Sequence, residues 1–281
     1  VIIECVVNVS EGRDQAVLAE LAAAAAPVLL DLHRDPDHHR SVFTLAGEAD
    51  AVASSAQALA RACVAQLDLS VHEGAHPRRG VLDVVPFVPY GSGADLSHPN
   101  LSAVVPLRDA FARWLSTALG VPTFLYGPRP DGSNRSLPQL RAGAFRDLAP
   151  DFGPGRPHRT AGATAVGARP VLVAYNVWVS SVEVARQVAP LVRSGAVRTL
   201  GLRVGDRAQV SCNLIDPAAY GPAALYDAVS RLVQEGGGQV TGAELVGLLP
   251  ASVLGAVPRH RWVELGLAED TTIEFRLVTP A

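Results

Sequence analysis

The succession of apolar segments predicts an α+β protein in which the order β-α-β-β-α-β occurs twice. Strand-length and helix-length patterns alternate in that order over residues 1–88. After a stretch from 127 to 168 rich in Gly, Pro, Arg and Asp, they do so again from Pro170. With 48% hydrophobic residues in 281, the chain holds enough apolar material for two cores.

Residues 1–9 read as a strand. After Ser10-Glu11-Gly12, the Ala/Leu-rich stretch 14–26 reads as a helix closed by Pro27. Residues 28–32 and 41–46 form the strands of a hairpin joined by His33-Arg34-Asp35-Pro36-Asp37-His38-His39-Arg40, where Asp-Pro-Asp is good turn chemistry. A second helix runs from Asp50 to Gln66 with Ala and Leu at helical spacing, and a fourth strand covers 81–88. Residues 100–119 add a helix and 122–126 a strand. The second half then gives strand 170–179, helix 181–194, strands 199–204 and 208–214, helix 221–234, and strands near 238–241 and 272–278. This order is that of the ferredoxin-like plait, in which helices cover one face of an antiparallel sheet. Two such subdomains are expected, over residues 1–165 and 166–281.

Composition narrows the function. Arg, Asp, Pro or Gly interrupts every apolar run before the roughly 18–20 residues needed to span a bilayer. The start, Val1-Ile2-Ile3-Glu4-Cys5, lacks the basic leader of a signal peptide, so a cytoplasmic protein is expected. Cys5, Cys63 and Cys212 are odd in number and widely spaced, which suggests neither a disulfide framework nor a zinc knuckle. A net charge of −3 without charged blocks argues against nucleic-acid or membrane partners and for a small molecule. All 24 basic residues are arginine, so Schiff-base and P-loop lysine chemistry are excluded. Arginine instead suits the paired hydrogen bonds that hold a carboxylate.

The richest segment is Val71-His72-Glu73-Gly74-Ala75-His76-Pro77-Arg78-Arg79-Gly80, which leads into the apolar strand. Two histidines at spacing four bind zinc when a helix carries them, but Gly74 and Pro77 oppose a helix here. In a loop, one histidine near neutral pH can exchange a proton with substrate. His76 is assigned that role and His72 loop support. The hairpin cluster of His33, Asp35, Asp37, His38, His39 and Arg40 offers a metal site, a carboxylate–histidine pair or simply a polar turn. Asn8, Ser10 and Glu11 lie where a strand enters a helix, and the backbone amides there suit either an anion or an N-cap. The stretch Asp151-Phe152-Gly153-Pro154-Gly155-Arg156-Pro157-His158-Arg159 is a long loop of the kind that is often functional.

In order along the chain, Glu4-Cys5-Val6-Val7-Asn8-Val9-Ser10-Glu11-Gly12-Arg13, Leu29-Leu30-Asp31, His76-Pro77-Arg78, Leu82-Asp83-Val84-Val85-Pro86-Phe87, Ala149-Pro150-Asp151-Phe152-Gly153-Pro154 and Gln209-Val210-Ser211-Cys212-Asn213-Leu214 resemble the formiminotransferase family. The resemblance implies transfer of a formimidoyl group from N-formimidoyl-L-glutamate to N5 of tetrahydrofolate, a step of histidine catabolism, in a homodimer. It implies His76 as the catalytic histidine, and a folate loop over Asp151, Phe152, Gly153, Pro154, Gly155, Arg156, Pro157, His158, Arg159, Thr160, Ala161 and Gly162. Tetrahydrofolate is then a co-substrate, and no metal is expected. Asn8, Ser10, Glu11, Arg40, Arg78 and Arg203 are candidates to hold substrate. The family's hairpin carries an acid at the position of His33, so His33 with Asp31, Asp35 or Asp37 is expected to assist His76. The alternatives are one-carbon transfer to or from a different amine and folate binding without turnover.

Overall fold

The computed structural model describes residues 2–74, 78–91, 96, 99–129 and 131–279. The chain divides into two compact units, Val1–Ala94 with Pro99–Arg169 and Asp95–His98 with Pro170–Ala281, so that the main boundary falls between Arg169 and Pro170. The join lies a few residues beyond 165 because the segment 164–168 is a strand of the first unit's sheet.

The first unit begins β1 (Ile2–Val9), α1 (Gln15–Ala25), β2 (Leu29–Asp35), β3 (Arg40–Glu48), α2 (Ala49–Gln66) and β4 (Leu82–Pro89). Asp14 starts α1 by accepting bonds from the amides of Ala16 and Val17. In α2, Val52, Ala56, Leu59, Ala60 and Cys63 repeat at helical spacing and are buried. They meet Ile3, Cys5, Val7 and Val9, the alternate residues of β1, together with Phe43 and Leu45 of β3. The strands lie in the order β2-β3-β1-β4, the order of the plait.

The unit continues with α3 (Val105–Leu119), β5 (Thr123–Pro128), β6 (Asn134–Arg135), α4 (Leu137–Gly143) and β7 (Thr164–Ala168). These extend the sheet to β2-β3-β1-β4-β7-β5-β6, with β7 parallel to both β4 and β5. The sheet is therefore mixed rather than wholly antiparallel. The added part is covered on both sides, by α3 through Phe111 and Leu115 and by α4 through Leu140. Such double cover is the usual requirement for parallel strands, and it explains why every residue of β4 but the last is buried.

β6, α4 and β7 all lie in the stretch that read as irregular. Thr164-Ala165-Val166-Gly167-Ala168 has little strand propensity, and it forms a strand because two neighbours pair with it. Gly167 is required there, since a Cβ on it would enter the Tyr126 ring of β5.

The second unit comprises β8 (Val173–Val179), α5 (Val182–Val192), β9 (Val197–Val204), β10 (Arg207–Leu214), α6 (Pro222–Glu235), β11 (Val240–Val246), α7 (Ala251–Gly255) and α8 (Ile273–Val278). Its sheet, β11-β8-β10-β9, is antiparallel throughout and again has the plait order. Val173, Tyr175 and Val177 of β8 pack with Val210 and Cys212 of β10 beneath Val188 of α5 and Leu225 and Val229 of α6. The expected strand at 272–278 is instead α8. Thr272 accepts a bond from the Phe275 amide as its N-cap, and Glu274 and Arg276 sit at the ends that suit the helix dipole. β-Branched residues in Thr271-Thr272-Ile273 imitated a strand, while the cap is what decides the structure. No helix among the described residues is long and apolar enough to cross a membrane.

Candidate functional site

Ion pairs and histidines converge in the first unit where β1 ends, around the β2–β3 hairpin and the loop before β4. Asp83 is the centre of the first group. Asn8 faces Val84 while Val9 faces Leu82, so Asp83 is the extra residue of a β-bulge, the usual device for re-aiming a side chain. Its Oδ2 accepts from Arg40 Nη1 at 2.9 Å and Arg141 Nη2 at 2.7 Å, and its Oδ1 from the Arg79 amide at 2.8 Å. Burial alone would raise its pKa, but Arg40 and Arg141 hold the carboxyl below the usual range. Arg40 also donates to Asn8 Oδ1 through Nη2 at 2.8 Å. Ser10 joins β1 to the loop, since its hydroxyl donates to the Gly80 carbonyl and its amide to that of Val81.

Glu11 organises the second group. Its Oε1 accepts from the amides of Gly12 (2.8 Å), Arg13 (2.7 Å) and Asp14 (3.0 Å), and from His39 Nε2 at 3.1 Å. Burial opposes ionisation, yet these amides and the His39 charge keep its pKa below normal. His39 sits at the hairpin tip in the left-handed region, φ +49°. Its Nδ1 donates to the Glu73 carbonyl at 2.9 Å, and its ring stacks on His72 with centroids 3.9 Å apart. Arg78 Nη1 lies 2.6 Å from His72 Nδ1, and the same guanidinium donates to the carbonyls of His38 and His39. Burial, then the Arg78 charge, depresses the His72 pKa to about 4. His72 is thus a neutral acceptor for Arg78 at neutral pH.

Of the residues expected from sequence, Asn8, Ser10, Glu11, Arg40 and Arg78 gather here. His33 lies on β2 opposite Val42, in the same row as Asn8. Asp35 closes the hairpin: its Oδ1 accepts from the amides of Asp37 and His38, and its Oδ2 is 3.6 Å from His38 Nε2. Arg203 is exposed on β9 in the second unit, within electrostatic reach of Glu183. His76 lies outside the described residues.

The long loop separates into two parts. The Asp151 carboxylate is taken up by Arg129 and Arg135, each at 2.9 Å, and by the Leu125 amide at 2.7 Å. Phe152 packs on the core beneath Arg113. The later part, with Pro157, His158, Arg159 and Gly162, borders a cavity of about 320 Å3 whose other walls include Leu69, Arg78, Arg79 and Phe145. His158 Nδ1 accepts from the Ala161 amide at 3.0 Å, which leaves Nε2 as the nitrogen bearing hydrogen in the neutral ring. Three arginines, a histidine and an aromatic ring suit an anionic, partly aromatic ligand. Among the described residues, no group of three or more His, Cys, Asp or Glu side chains converges as a metal site would.

Sequence reasoning missed Asp83 and Arg141 as parts of this site, and it placed His39 in the hairpin cluster without its partner Glu11. Asp83 had a signal, a lone carboxylate within a strand otherwise apolar. Arg141 had none, because it reaches Asp83 from a helix that the sequence pattern did not reveal.

The formiminotransferase domain, N-terminal subdomain, matches residues 2–169, a span that ends where the first unit ends. This chain belongs to the formiminotransferase family. It is 34% identical to glutamate formimidoyltransferase of Streptococcus pyogenes over 90% of both chains. It is 30% identical to glutamate formimidoyltransferase of Thermoplasma acidophilum over 98% of this chain and 97% of the other. Its identity to formimidoyltransferase-cyclodeaminase of Sus scrofa is 36%, and there it spans 51% of the longer protein. The family places the chain among transferase enzymes.

Proposed function

We propose that this protein moves a formimidoyl group from N-formimidoyl-L-glutamate to N5 of tetrahydrofolate, with His76 carrying the proton. One observation supports the reading above the others. Arg78, two positions after His76 in the sequence, is fixed by the carbonyls of His38 and His39, and it also lines an arginine-rich cavity that suits two carboxylate-bearing substrates.

The folate nitrogen supplies the nucleophile, and the glutamate nitrogen is the leaving group. His76 accepts the proton from the attacking nitrogen and returns it to the departing one. Arg78, Arg79 and Arg159 hold carboxylates, and the apolar Leu69 and Phe145 meet the ring system. Holding two reactants together accounts for most of the remaining acceleration. We further propose that the protein works as a homodimer in the cytoplasm, which light scattering and cell fractionation test.

Purified protein is assayed with tetrahydrofolate and a panel of formimidoyl and formyl donors. N-Formimidoyl-L-glutamate is expected to be the best donor, and His76→Ala to lower kcat at least ~10²-fold with the fold intact by circular dichroism. Unchanged turnover in that variant removes His76 from the mechanism, and preference for another donor removes the substrate assignment.

A further inference from the structure

The described residues on either side of positions 75–77 meet one residue on which the proposed chemistry does not call, His39. His72, Glu73, Gly74 and Arg78 all meet the hairpin tip at His38 or His39. His72 stacks on the His39 ring, the Glu73 carbonyl accepts from His39 Nδ1, and Arg78 donates to both carbonyls of the tip. At Gly74 the approach is so close that an added Cβ would lie 2.6 Å from the His38 carbonyl oxygen and 2.9 Å from His39 Cβ.

The partners of His39 also fix its proton content. A carbonyl oxygen and an ionised carboxylate are both acceptors, so Nδ1 and Nε2 must each donate, which only the doubly protonated ring can do. Glu11 is well made to favour that form. Three backbone amides keep it ionised, and the pair is largely shielded, with His39 and Glu11 side chains 14% and 11% exposed. The neighbouring His72 ring is the reverse case, a neutral acceptor for Arg78. Stacking one charged ring on one neutral ring avoids the repulsion of two imidazolium groups.

We propose that His39 is a positioning residue for the transfer reaction: as an imidazolium bridging the Glu11 carboxylate and the Glu73 carbonyl, it fixes His72, Glu73 and Arg78, the described residues on either side of His76. The relevance to catalysis rests on the function proposed above, whereas the bridge itself does not. His39 touches no reacting atom, and its effect passes through the loop. A displacement of about 1 Å at a reacting group costs as much as 10²-fold.

The test uses the full chain and His39→Asn, since Asn tolerates the left-handed backbone and removes only the ring. Ring ¹⁵N NMR of the unsubstituted protein at neutral pH is expected to show one histidine with both nitrogens protonated and absent from the variant. Amide exchange at residues 72–74 and 78–80 is expected to quicken at least tenfold, and kcat to fall between roughly tenfold and a hundredfold, with a smaller change in KM. Glu11→Gln, which keeps an acceptor for the three amides but removes the charge, should act in the same direction. The double variant should be no worse than His39→Asn alone, because both act through one bridge. A singly protonated His39, or exchange in the loop unchanged by His39→Asn, overturns the proposal. Quickened exchange with kcat unchanged also overturns it, since the bridge then positions nothing that the reaction needs. Absence of transfer to tetrahydrofolate in the unsubstituted protein instead defeats the proposed function, and the exchange result still reports on the bridge.

Discussion

The two units share an order of strands and differ in what surrounds it. Each arranges β-α-β-β-α-β as a sheet with its first and third strands central. The second unit stays close to that minimum: four antiparallel strands, two covering helices and a short C-terminal cap. The first adds β5, β6 and β7 with α3 and α4, and α4 brings Arg141 to Asp83. Its hairpin and the loop before β4 hold histidines and arginines against a buried carboxylate. The plait order is therefore the same in both units, while chemistry follows from an extension, a bulge and two loops. The comparison predicts that charge substitutions act strongly in the first unit and weakly in the second.

Asp83→Ala should be the harshest. Asp83 is 2% exposed, and its removal leaves Arg40, at 12% exposure, without its carboxylate partner. Breaking a buried pair from one side costs about 3–5 kcal/mol, and because Arg141 is 26% exposed and can turn toward water we expect the lower end. Urea unfolding should show the first unit melting earlier by about 3 kcal/mol. Since the carboxyl pKa is depressed, its contribution is complete above the unfolded aspartate range and is lost as pH falls through the lower folded value. A cost below 1 kcal/mol would mean that the arginines find other partners, and that the difference between the units is not electrostatic.

Much of this was legible in the sequence, and the failures share a cause. α1, α2, α5 and α6 announced themselves by period, and the strands of both plaits by short apolar runs between turn residues. β7 failed that test because it is built from small residues, and Gly167 is set by the Tyr126 ring across the sheet. α8 was misread because local β-branched content outweighed a one-residue cap. The same division holds in the site. Glu11, Arg40 and Arg78 stood out as charged residues in suggestive loops. The pairing of His39 with Glu11 joins residues 28 positions apart, and no local pattern encodes it.

A smaller effect is expected from acid. His72 is depressed from 6.5 to about 4 by burial and by Arg78, so the folded loop binds fewer protons than the unfolded chain within that window. The stability it contributes is present above about 6.5 and is lost as pH falls through about 4. Arg78, His39 and Glu11 face the ring, and Glu11, with its own pKa lowered, stays ionised over most of the range. Between pH 7 and pH 4.5, protection of the amides of residues 72–74, taken relative to the unfolded-chain exchange rate at each pH, should fall while that of α5 and α6 of the second unit holds steady. His72→Gln, neutral at every pH, should flatten that response. Equal acid sensitivity in the variant would place the titrating group elsewhere.

The mildest substitution serves as the control that makes the others interpretable. Arg261 donates to both oxygens of Asp227 at 2.9 and 2.7 Å and to Glu264 at 3.0 Å, a network as well formed as that around Asp83. Yet Asp227 and Glu264 are 58% and 47% exposed, and water already screens them. Asp227→Ala should change stability by less than about 1 kcal/mol and leave transfer unaltered. Burial, rather than bond count or bond length, then decides which ion pairs matter in this molecule. A loss comparable to that of Asp83→Ala would reverse the argument, because similar hydrogen-bond geometry would then have similar energetic weight in water and in the interior.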